Sequence, residues 1–600
     1  MSAPFPVNKN IPPGYKRPGV FVSYEIGDTG ESRPNHRVLL FGYVPAGAAI
    51  TLNTPTKVLV KSQVDALTGS PKSMLSRMYA AGKSTLPNGV GAEFYLVGMP
   101  EPSGGTKAKR LIKFMAKPIA GTLGTNTSAA QGVVCTALIG MRGASFVISQ
   151  GDSFASIATK AKAALDLVEN LPCTVTITGG DTLELEDIHA GEAGNDMPIS
   201  VTFDSDDAGV AASCGTLTIG GGPAAANGVL TVKATVKSAA IAYLSADTAT
   251  VIATKAVTAL NGDAYSVSAA QAAVATPVVT LFYRAARVVN RLSAAAVGGG
   301  ITATLASGVL GVGTPTITSA LAALSADTQA YKSIVPFWTD TTNAGTLAAG
   351  VVSQDQSPIE KDQRVFFGTS LSLVDAQAAN LADATSPKLT TSALFAVMQE
   401  PGSTVPAYEQ AARVGAIVAA EDYQGRNFNG RVLRGNEYAP LGVPHRADRQ
   451  TPDEENLAIT ALFLAPIGVN EDDEVAIVRS STTYKAKGSL DQKLEKWSCM
   501  LQVHLYRNEI KAAFRKLFKE KSIKRYGKPR TDASVDAQDV KDAIYRLMIQ
   551  WDDRDLFDGA EELRGAIQAG VVVSPTRIDV SLPFRPLADL DQLAVEGIIS

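Results

Sequence analysis

Hydrophobic and polar positions along this chain change period several times, and each change predicts an element. Val38-Leu39-Leu40-Phe41-Gly42-Tyr43 and Phe94-Tyr95-Leu96-Val97-Gly98 are continuous apolar runs ending in or broken by glycine. Such runs predict strands buried on both faces. Between them, Thr54-Pro55-Thr56-Lys57-Val58 reads as a turn and a strand start, and Val64 to Thr68 as a short helix stopped by Gly69. Ser70-Pro71 places proline at the first position of a second helix, with Met74, Leu75, Met78 and Tyr79 at helical spacing. The first ninety residues therefore predict an α/β arrangement.

From about 120 to 330 charged residues thin out, and Ala, Thr, Gly and Val dominate. This stretch contains a duplication. Ile157-Ala158-Thr159-Lys160-Ala161 recurs as Ile252-Ala253-Thr254-Lys255-Ala256, Leu165 recurs as Leu260, and Asn195 as Asn290, all at one offset. Each copy reads as strand, helix, then strands, which predicts two small domains inserted in tandem. Residues 292–326 carry no charge but hold glycines, a proline and many hydroxyl residues. They predict strands and loops and not a membrane span. After 330 the α/β pattern returns. Ile334 to Trp338, Val365 to Gly368 and Val475 to Arg479 predict strands, and Ala411 to Ala420 an apolar helix. Ser489-Leu490-Asp491-Gln492 has capping-box spacing and opens a long helix through Trp497, Leu501, Leu505 and Phe514, with another helix over about 535–551.

Both ends predict extended arms. Ile11-Pro12-Pro13-Gly14 and Arg17-Pro18-Gly19 exclude helix, and Val20-Phe21-Val22-Ser23-Tyr24-Glu25-Ile26 then predicts a strand. Ile578-Asp579-Val580-Ser581-Leu582-Pro583-Phe584 alternates in the same way. Terminal strands set off by Pro and Gly are free to add to the sheet of another molecule. The apolar residues expected to make those contacts are Val20, Phe21, Val22, Tyr24, Ile26, Ile578, Val580, Leu582 and Phe584. The fold class expected is multidomain α+β and α/β. An N-terminal arm (1–30) precedes a discontinuous α/β core (31–118 and 331–570). β-rich α+β domains are inserted at 119–222 and 223–330, and a C-terminal arm (571–600) ends the chain.

Composition narrows the function. With 600 residues, 45% of them apolar, a large core is available, and a net charge of −3 gives no global attraction to nucleic acid or anionic membrane. Four cysteines without CxxC spacing predict free thiols in a reducing compartment. The start has neither a basic n-region nor an apolar h-region, so no secretory leader is expected. The four histidines stand apart without metal-ligand spacing, and neither a phosphate-binding loop nor a dinucleotide fingerprint is present. No metal, cofactor or catalytic residue is expected. The best enzyme-like match, Gly151-Asp152-Ser153-Phe154 followed by His189, resembles a GDSL hydrolase block. The duplicate carries Asp247-Thr248 and Arg284 at those places, so a helix cap is the simpler reading. Asp204, Asp206 and Asp207 lack the spacing of a calcium loop and predict a turn. Locally the charge is uneven. Residues 507–530 carry ten Lys or Arg against Glu509 and Glu520, a net of +8. A solvated helix face is the usual explanation of such a run. Of the binding alternatives an acidic protein surface suits it better than a nucleic acid, because Phe514 and Phe518, at i and i+4, read as core.

Taken in order, Arg17-Pro18-Gly19-Val20-Phe21-Val22-Ser23, Val38 to Gly42, Ala66-Leu67-Thr68-Gly69-Ser70, His189-Ala190-Gly191-Glu192-Ala193-Gly194-Asn195-Asp196 and Arg479-Ser480-Ser481-Thr482-Thr483-Tyr484 resemble the tail sheath proteins of contractile-tailed bacteriophages, in particular the Mu-like branch. The resemblance implies a structural, non-enzymatic protein that forms six-membered rings stacked helically around a tail tube. It implies arms that link neighbouring copies, and outer inserted domains. The implied partners are further copies of the chain, a tail tube protein, a baseplate and a tail terminator, with neither nucleic acid nor membrane insertion. The implied location is the virion tail, after assembly in host cytoplasm. On this reading Lys511, Arg515, Lys516, Lys519, Lys524 and Arg525 face the tube. The alternatives are another virion component, such as a baseplate or capsid-associated protein, or a serine hydrolase built on Ser153.

Overall fold

The computed structural model describes residues 36–86, 92–235, 237–271, 276–338, 341–355, 361–370, 373–378, 394–398, 402–420, 428–434, 441–462, 464–482, 497–518, 522–523, 534–570 and 579–581. The chain divides into two compact units. The larger covers Asn35–Gln502 and Pro586–Ser600, the smaller Met1–Pro34 and Val503–Arg585.

In the larger unit the chain first lays down β1 (Arg37–Val44), β2 (Thr56–Val58), α1 (Lys61–Thr68), α2 (Met74–Ser84) and β3 (Glu93–Pro100). Gly69 ends α1 in the left-handed conformation that glycine adopts freely. Pro71 does not open α2 as its position suggested. The helix starts at Met74, where the Ser73 hydroxyl caps it by accepting from the Ser76 amide. An inserted segment follows. Its first repeat is β4 (Lys107–Ala116), β5 (Val133–Ile139), β6 (Arg142–Ile148), α3 (Phe154–Asp166), β7 (Cys173–Thr178), β8 (Thr182–Ala190), β9 (Ile199–Phe203) and β10 (Val210–Gly220). Its second is β11 (Gly228–Ala234), β12 (Lys237–Tyr243), α4 (Ala249–Leu260), β13 (Val267–Gln271), β14 (Val278–Tyr283), β15 (Leu292–Val297), β16 (Thr302–Ala306) and β17 (Gly308–Val309). The chain then returns through α5 (Thr318–Ala326), β18 (Ser333–Val335), α6 (Thr341–Asp355), β19 (Arg364–Thr369), α7 (Leu373–Ala378), β20 (Leu394–Met398), α8 (Ala407–Ala420), α9 (Pro452–Thr460), β21 (Ala465–Val469) and β22 (Val475–Ile477).

The main sheet has the order β2-β3-β1-β18-β19-β20-β21-β22, parallel from β3 to β21 with an antiparallel strand at each edge. It joins strands from both sides of the insertion, so β1 pairs with β18 across nearly three hundred residues of sequence. Parallel strands covered by helices must be apolar on both faces, which explains the continuous runs. β1 has seven of its eight residues buried, and every residue of β19 is buried. α8 is buried all round except at its last residue and lies against α2. The close approach needs small residues. A side chain at Gly82 would meet Phe94 and Ala416, and one at Gly415 would lie 2.7 Å from Val335.

The two repeats superpose in topology. β5 and β11, β6 and β12, and α3 and α4 occupy matching positions in sequence, and each repeat folds a three-stranded sheet, β6-β5-β9 or β12-β11-β15. The matching extends to side chains. Lys160 pairs with Asp152, which also accepts from the Ser149 amide, and Lys255 pairs with Asp247, which accepts from the Leu244 amide. Ser153 and Thr248 cap the two helices. The repeats are not separate beads, however. A larger sheet runs through both in the order β13-β14-β10-β4-β8-β7, and β10 serves each of them. Residues 210–213 of β10 pair with β4 to close the first repeat, and residues 213–218 pair with β14 in the second. A register shift at Ser213/Gly215 separates the halves. Gly215 has φ 155° there, and a Cβ would lie 2.8 Å from the Ala306 carbonyl.

These pairings move three expected boundaries. β4, within the expected core segment 31–118, belongs to the inserted sheet. Residues 318–326, expected as strand or loop of the second inserted domain, form α5, which packs on α6. Residues 503–570, expected in the core, lie in the smaller unit.

The smaller unit takes most of α10 (Trp497–Phe518), then β23 (Ser522–Ile523), β24 (Ser534–Val535), α11 (Ala537–Asp552), α12 (Ala560–Leu563), β25 (Gln568–Gly570) and β26 (Asp579–Ser581). Asp536 and Asp539 form a reciprocal cap on α11. The core gathers Tyr506, Ile544, Met548, Trp551 and Phe557, with Phe514 against its margin. The Tyr506 and Trp551 rings lie 4.4 Å apart, and Glu509 accepts from Trp551 Nε1 at 2.6 Å and from Arg554 at 2.8 Å. The sequence Ser489–Gln492, read as a capping box, lies outside the described residues.

Candidate functional site: the neck of the insertion

An open parallel sheet offers a ligand crevice where its strand order reverses, outside the carboxyl ends of the strands. Here the reversal falls between β1 and β18, because the chain goes from β1 outward to β3 and returns on the other side. The residues at those ends are Tyr43 and, just beyond β18, Phe337 and Trp338. Their rings close on one another, with Tyr43 to Phe337 at 4.3 Å and Phe337 to Trp338 at 5.2 Å. The insertion fills what is left. Gly191 comes so near that a Cβ would meet the Tyr43 ring at 3.2 Å. A residual cavity of about 10 Å³ remains, lined by Ala193, Asp196, Phe337, Ser370, Pro406 and Tyr408. That is space for about one water molecule.

The segment doing this is the His189–Asp196 motif, which follows β8 and turns through a short 3-10 helix at Glu192–Gly194. It sits at the neck, where the chain leaves the core (101–106) and comes back (311–313). The two neck strands bond to each other through Thr106 and Val312. Gly191 donates to the Thr106 carbonyl at 3.0 Å, and Glu192 to the Gly313 carbonyl at 3.2 Å. Asn195 clamps the Gly311 peptide, its Nδ2 donating to the carbonyl at 3.0 Å and its Oδ1 accepting from the amide at 2.7 Å. His189 is buried, and its Nε2 accepts from the Met74 amide at the start of α2 at 3.2 Å. Its Nδ1 lies 2.9 Å from Glu101 Oε1. Burial opposes ionisation of Glu101, yet His189 and the Ala190 amide hold its carboxyl below the ordinary range. Asp187 braces the turn by accepting from the His189 amide, and burial raises its pKa against the opposing pull of Arg77.

Beside the neck lies a buried charge cluster. Glu409 Oε1, on α8, receives Arg77 of α2 at 3.2 Å and Arg142 of β6 at 2.8 Å, and Arg77 also donates to the Tyr408 hydroxyl at 2.7 Å. Burial opposes the Glu409 charge, but Arg142 and Arg77 outweigh it and keep the carboxyl below its usual range. No pattern in the sequence marks this cluster, because its members come from three distant segments.

The expected site residues are placed as follows. Ser153 accepts from the Ser156 amide as a helix cap, and both His189 ring nitrogens are engaged elsewhere, so no hydrogen bond joins them as nucleophile and base. Asp204 accepts from the Val134 amide, while Asp206 pairs with Lys117. Val20, Phe21, Val22, Tyr24, Ile26, Ile578, Leu582 and Phe584 lie outside the described residues. Val580 lies in β26, which pairs antiparallel with β25 of its own chain through Val580 and Ala569. That short piece of the expected free arm is therefore paired on one side. On α10, Lys511 is half-buried, and Arg515 and Lys516 are exposed. Lys519, Lys524 and Arg525 lie outside the described residues. Among the described residues no group of His, Cys, Asp and Glu could hold a metal ion, and no helix is long and apolar enough to cross a membrane.

No protein-family profile matches the chain. No curated protein matches it either. Among solved structures it is similar to a sheath tail protein from Desulfitobacterium hafniense, at 11% identity and a TM-score of 0.42, over 95% of this chain and 97% of that one. It is similar to a sheath tail protein from Listeria innocua at 10% identity and a TM-score of 0.41, over 93% of each chain. The sheath complex of an extracellular contractile injection system, in its contracted state, matches at 12% identity and a TM-score of 0.34, over 50% of this chain and 77% of that one. At these identities and scores the likeness is descriptive, and the functional reading rests on the chain's own residues.

Proposed function

We propose that this chain is the structural subunit of a contractile tail sheath. It polymerises as stacked six-membered rings in a helical lattice around a tail tube, and shortens to drive that tube through a cell envelope. The observation that carries this reading is the split core. A single, mainly parallel sheet is assembled from both sides of a long double insertion, in the order that the sequence resemblance implies, and its ligand crevice is closed by the insertion. A scaffold has no use for that crevice, whereas most enzymes of open α/β architecture depend on it.

In this reading Val20 to Ile26 and Ile578 to Phe584 add strands to neighbouring copies. Such head-to-tail contacts do not close and so propagate a tube. β25 and β26 support it, because two short paired strands are marginal by themselves and gain from added strands. The cationic end of α10, with Arg515 and Lys516 exposed, faces an acidic tube through screened, reversible contacts. Baseplate and terminator complete the set of partners, and the working location is the tail of a phage or phage-like particle. Contraction is then release of a trapped lattice state and needs no catalysis.

Negative-stain electron microscopy of the purified protein across concentration and salt, with and without tube, tests the reading. Hollow striated tubes are expected. Closed compact oligomers under every condition would overturn it.

A further inference from the structure

We propose that the turn from Asp187 to Asp196 is a latch that fixes the inserted repeats to the core as one rigid body, without a hinge at the neck. A two-strand neck such as 101–106 with 311–313 is ordinarily where an inserted domain swings. Here one turn grips both strands and the core together. Thr106, Gly311 and Gly313 are bound by Gly191, Asn195 and Glu192, while His189 reaches Met74 on α2. The turn has no room to relax. A Cβ at Gly194 would lie 2.4 Å from the Asp187 carboxylate, and one at Gly191, at φ 116°, 2.9 Å from the Gly313 carbonyl.

The duplicate supplies a comparison within the molecule. At the matching places it has Phe282, Arg284, Ala286 and Val289 for Asp187, His189, Gly191 and Gly194, and of the side chains that bond in the turn it keeps only Asn290. Arg284 bonds carbonyls of its own repeat, at Leu260, Gly262 and Val267, and the Asn290 amide oxygen has no partner among the described residues. Only the copy at the neck has the latch. Both copies are also pinned by matching hairpin tips. Arg142 of the first repeat reaches Glu409, and its counterpart Lys237 donates to the Ala447 carbonyl at 2.6 Å. Arg287 forms a buried pair with Asp448. These contacts add to the latch in opposing the rotations that a single neck would leave. This inference does not depend on the sheath reading. If both hold, the outer repeats travel with the core when the lattice changes state.

The test uses the full chain. Spin labels at the exposed positions Ser62 (S62C, core) and Ser145 (S145C, first repeat) report their distance distribution, with labelled protein diluted in unlabelled protein. The expected result is a narrow distribution that roughly doubles in width in His189→Ala/Asn195→Ala and is unchanged in Asn290→Ala. A broad distribution in the unsubstituted chain, or one that stays narrow in the double variant, overturns the latch. Amide exchange in the unsubstituted protein gives an answer even if that variant fails to fold. The Gly311 amide, held by Asn195, and the Met74 amide, held by His189, are expected to exchange as slowly as Leu40 in β1. Exchange of these two amides orders of magnitude faster than Leu40 means that the neck opens by itself, and the proposal fails.

Discussion

Glu409 shows how a residue is defined by what surrounds it. It lies on the apolar helix α8 and is fully buried between two guanidinium groups. Removing one member of such a group leaves an uncompensated buried charge. Glu409→Ala is expected to destabilise the protein by roughly 3–5 kcal/mol, read as a shift in the urea midpoint. Its pKa is held down in the folded state. Its stabilisation is therefore present above the unfolded value of about 4.3 and is lost as pH falls through the folded value. Asp187 runs the opposite way. Burial raises its pKa, so its contribution is full below about 3.9 and declines as pH rises through the folded value. Asp187→Asn keeps an acceptor for the His189 amide. It is expected to flatten that decline in urea midpoints measured from about pH 3 to 7. Ser153→Ala removes a cap and is expected to cost about 1 kcal/mol, as is Thr248→Ala at the matching helix. Loss of an ester-hydrolysing activity on Ser153→Ala would point back to a hydrolase.

At the scale of elements, the duplicated helices and their caps were legible because capping and 3.6-residue spacing are local. The sharing of β10 was not, since strand pairing is set between segments far apart in sequence. That sharing has a consequence for folding. The two repeats complete one sheet and should unfold together. Gly215→Ala strains the bulge at the shared strand by roughly 1–3 kcal/mol. Amide exchange is expected to rise in β4 and β14 alike, and a rise confined to one repeat would mean that the repeats are independent. The expected boundary at 118 puts β4 in the core, whereas its partners are β8 and β10, far along the chain. Its alternating burial suits a sheet with one wet face, and no local signal says which sheet it joins.

At the scale of the whole molecule, the prediction is about assembly. Deleting residues 1–26 or 578–600 is expected to leave a soluble species that sediments as a monomer and forms no tubes. Tubes of normal diameter from either truncation would rule out the arms as links. Arg515→Glu with Lys516→Glu is expected to weaken tube-dependent assembly and reduce its dependence on salt, since those contacts are screened charges. Unchanged assembly and salt response would remove the cationic end of α10 from the tube interface.

By itself the sequence determined the periodic features. These are the buried runs Val38 to Tyr43 and Phe94 to Gly98, the duplication at Ile157 and Ile252, and the Ser153 helix cap. Each depends on neighbours within a few residues or on the chain compared with itself. Only the tertiary structure decided that β1 pairs with β18, that β4 joins the inserted sheet, that Arg77, Glu409 and Arg142 meet, and that His189 and Asn195 bond to Met74 and Gly311. Those outcomes depend on contacts between segments tens to hundreds of residues apart. There the energy comes from burial and complementary hydrogen bonding, and neither leaves a local period to read.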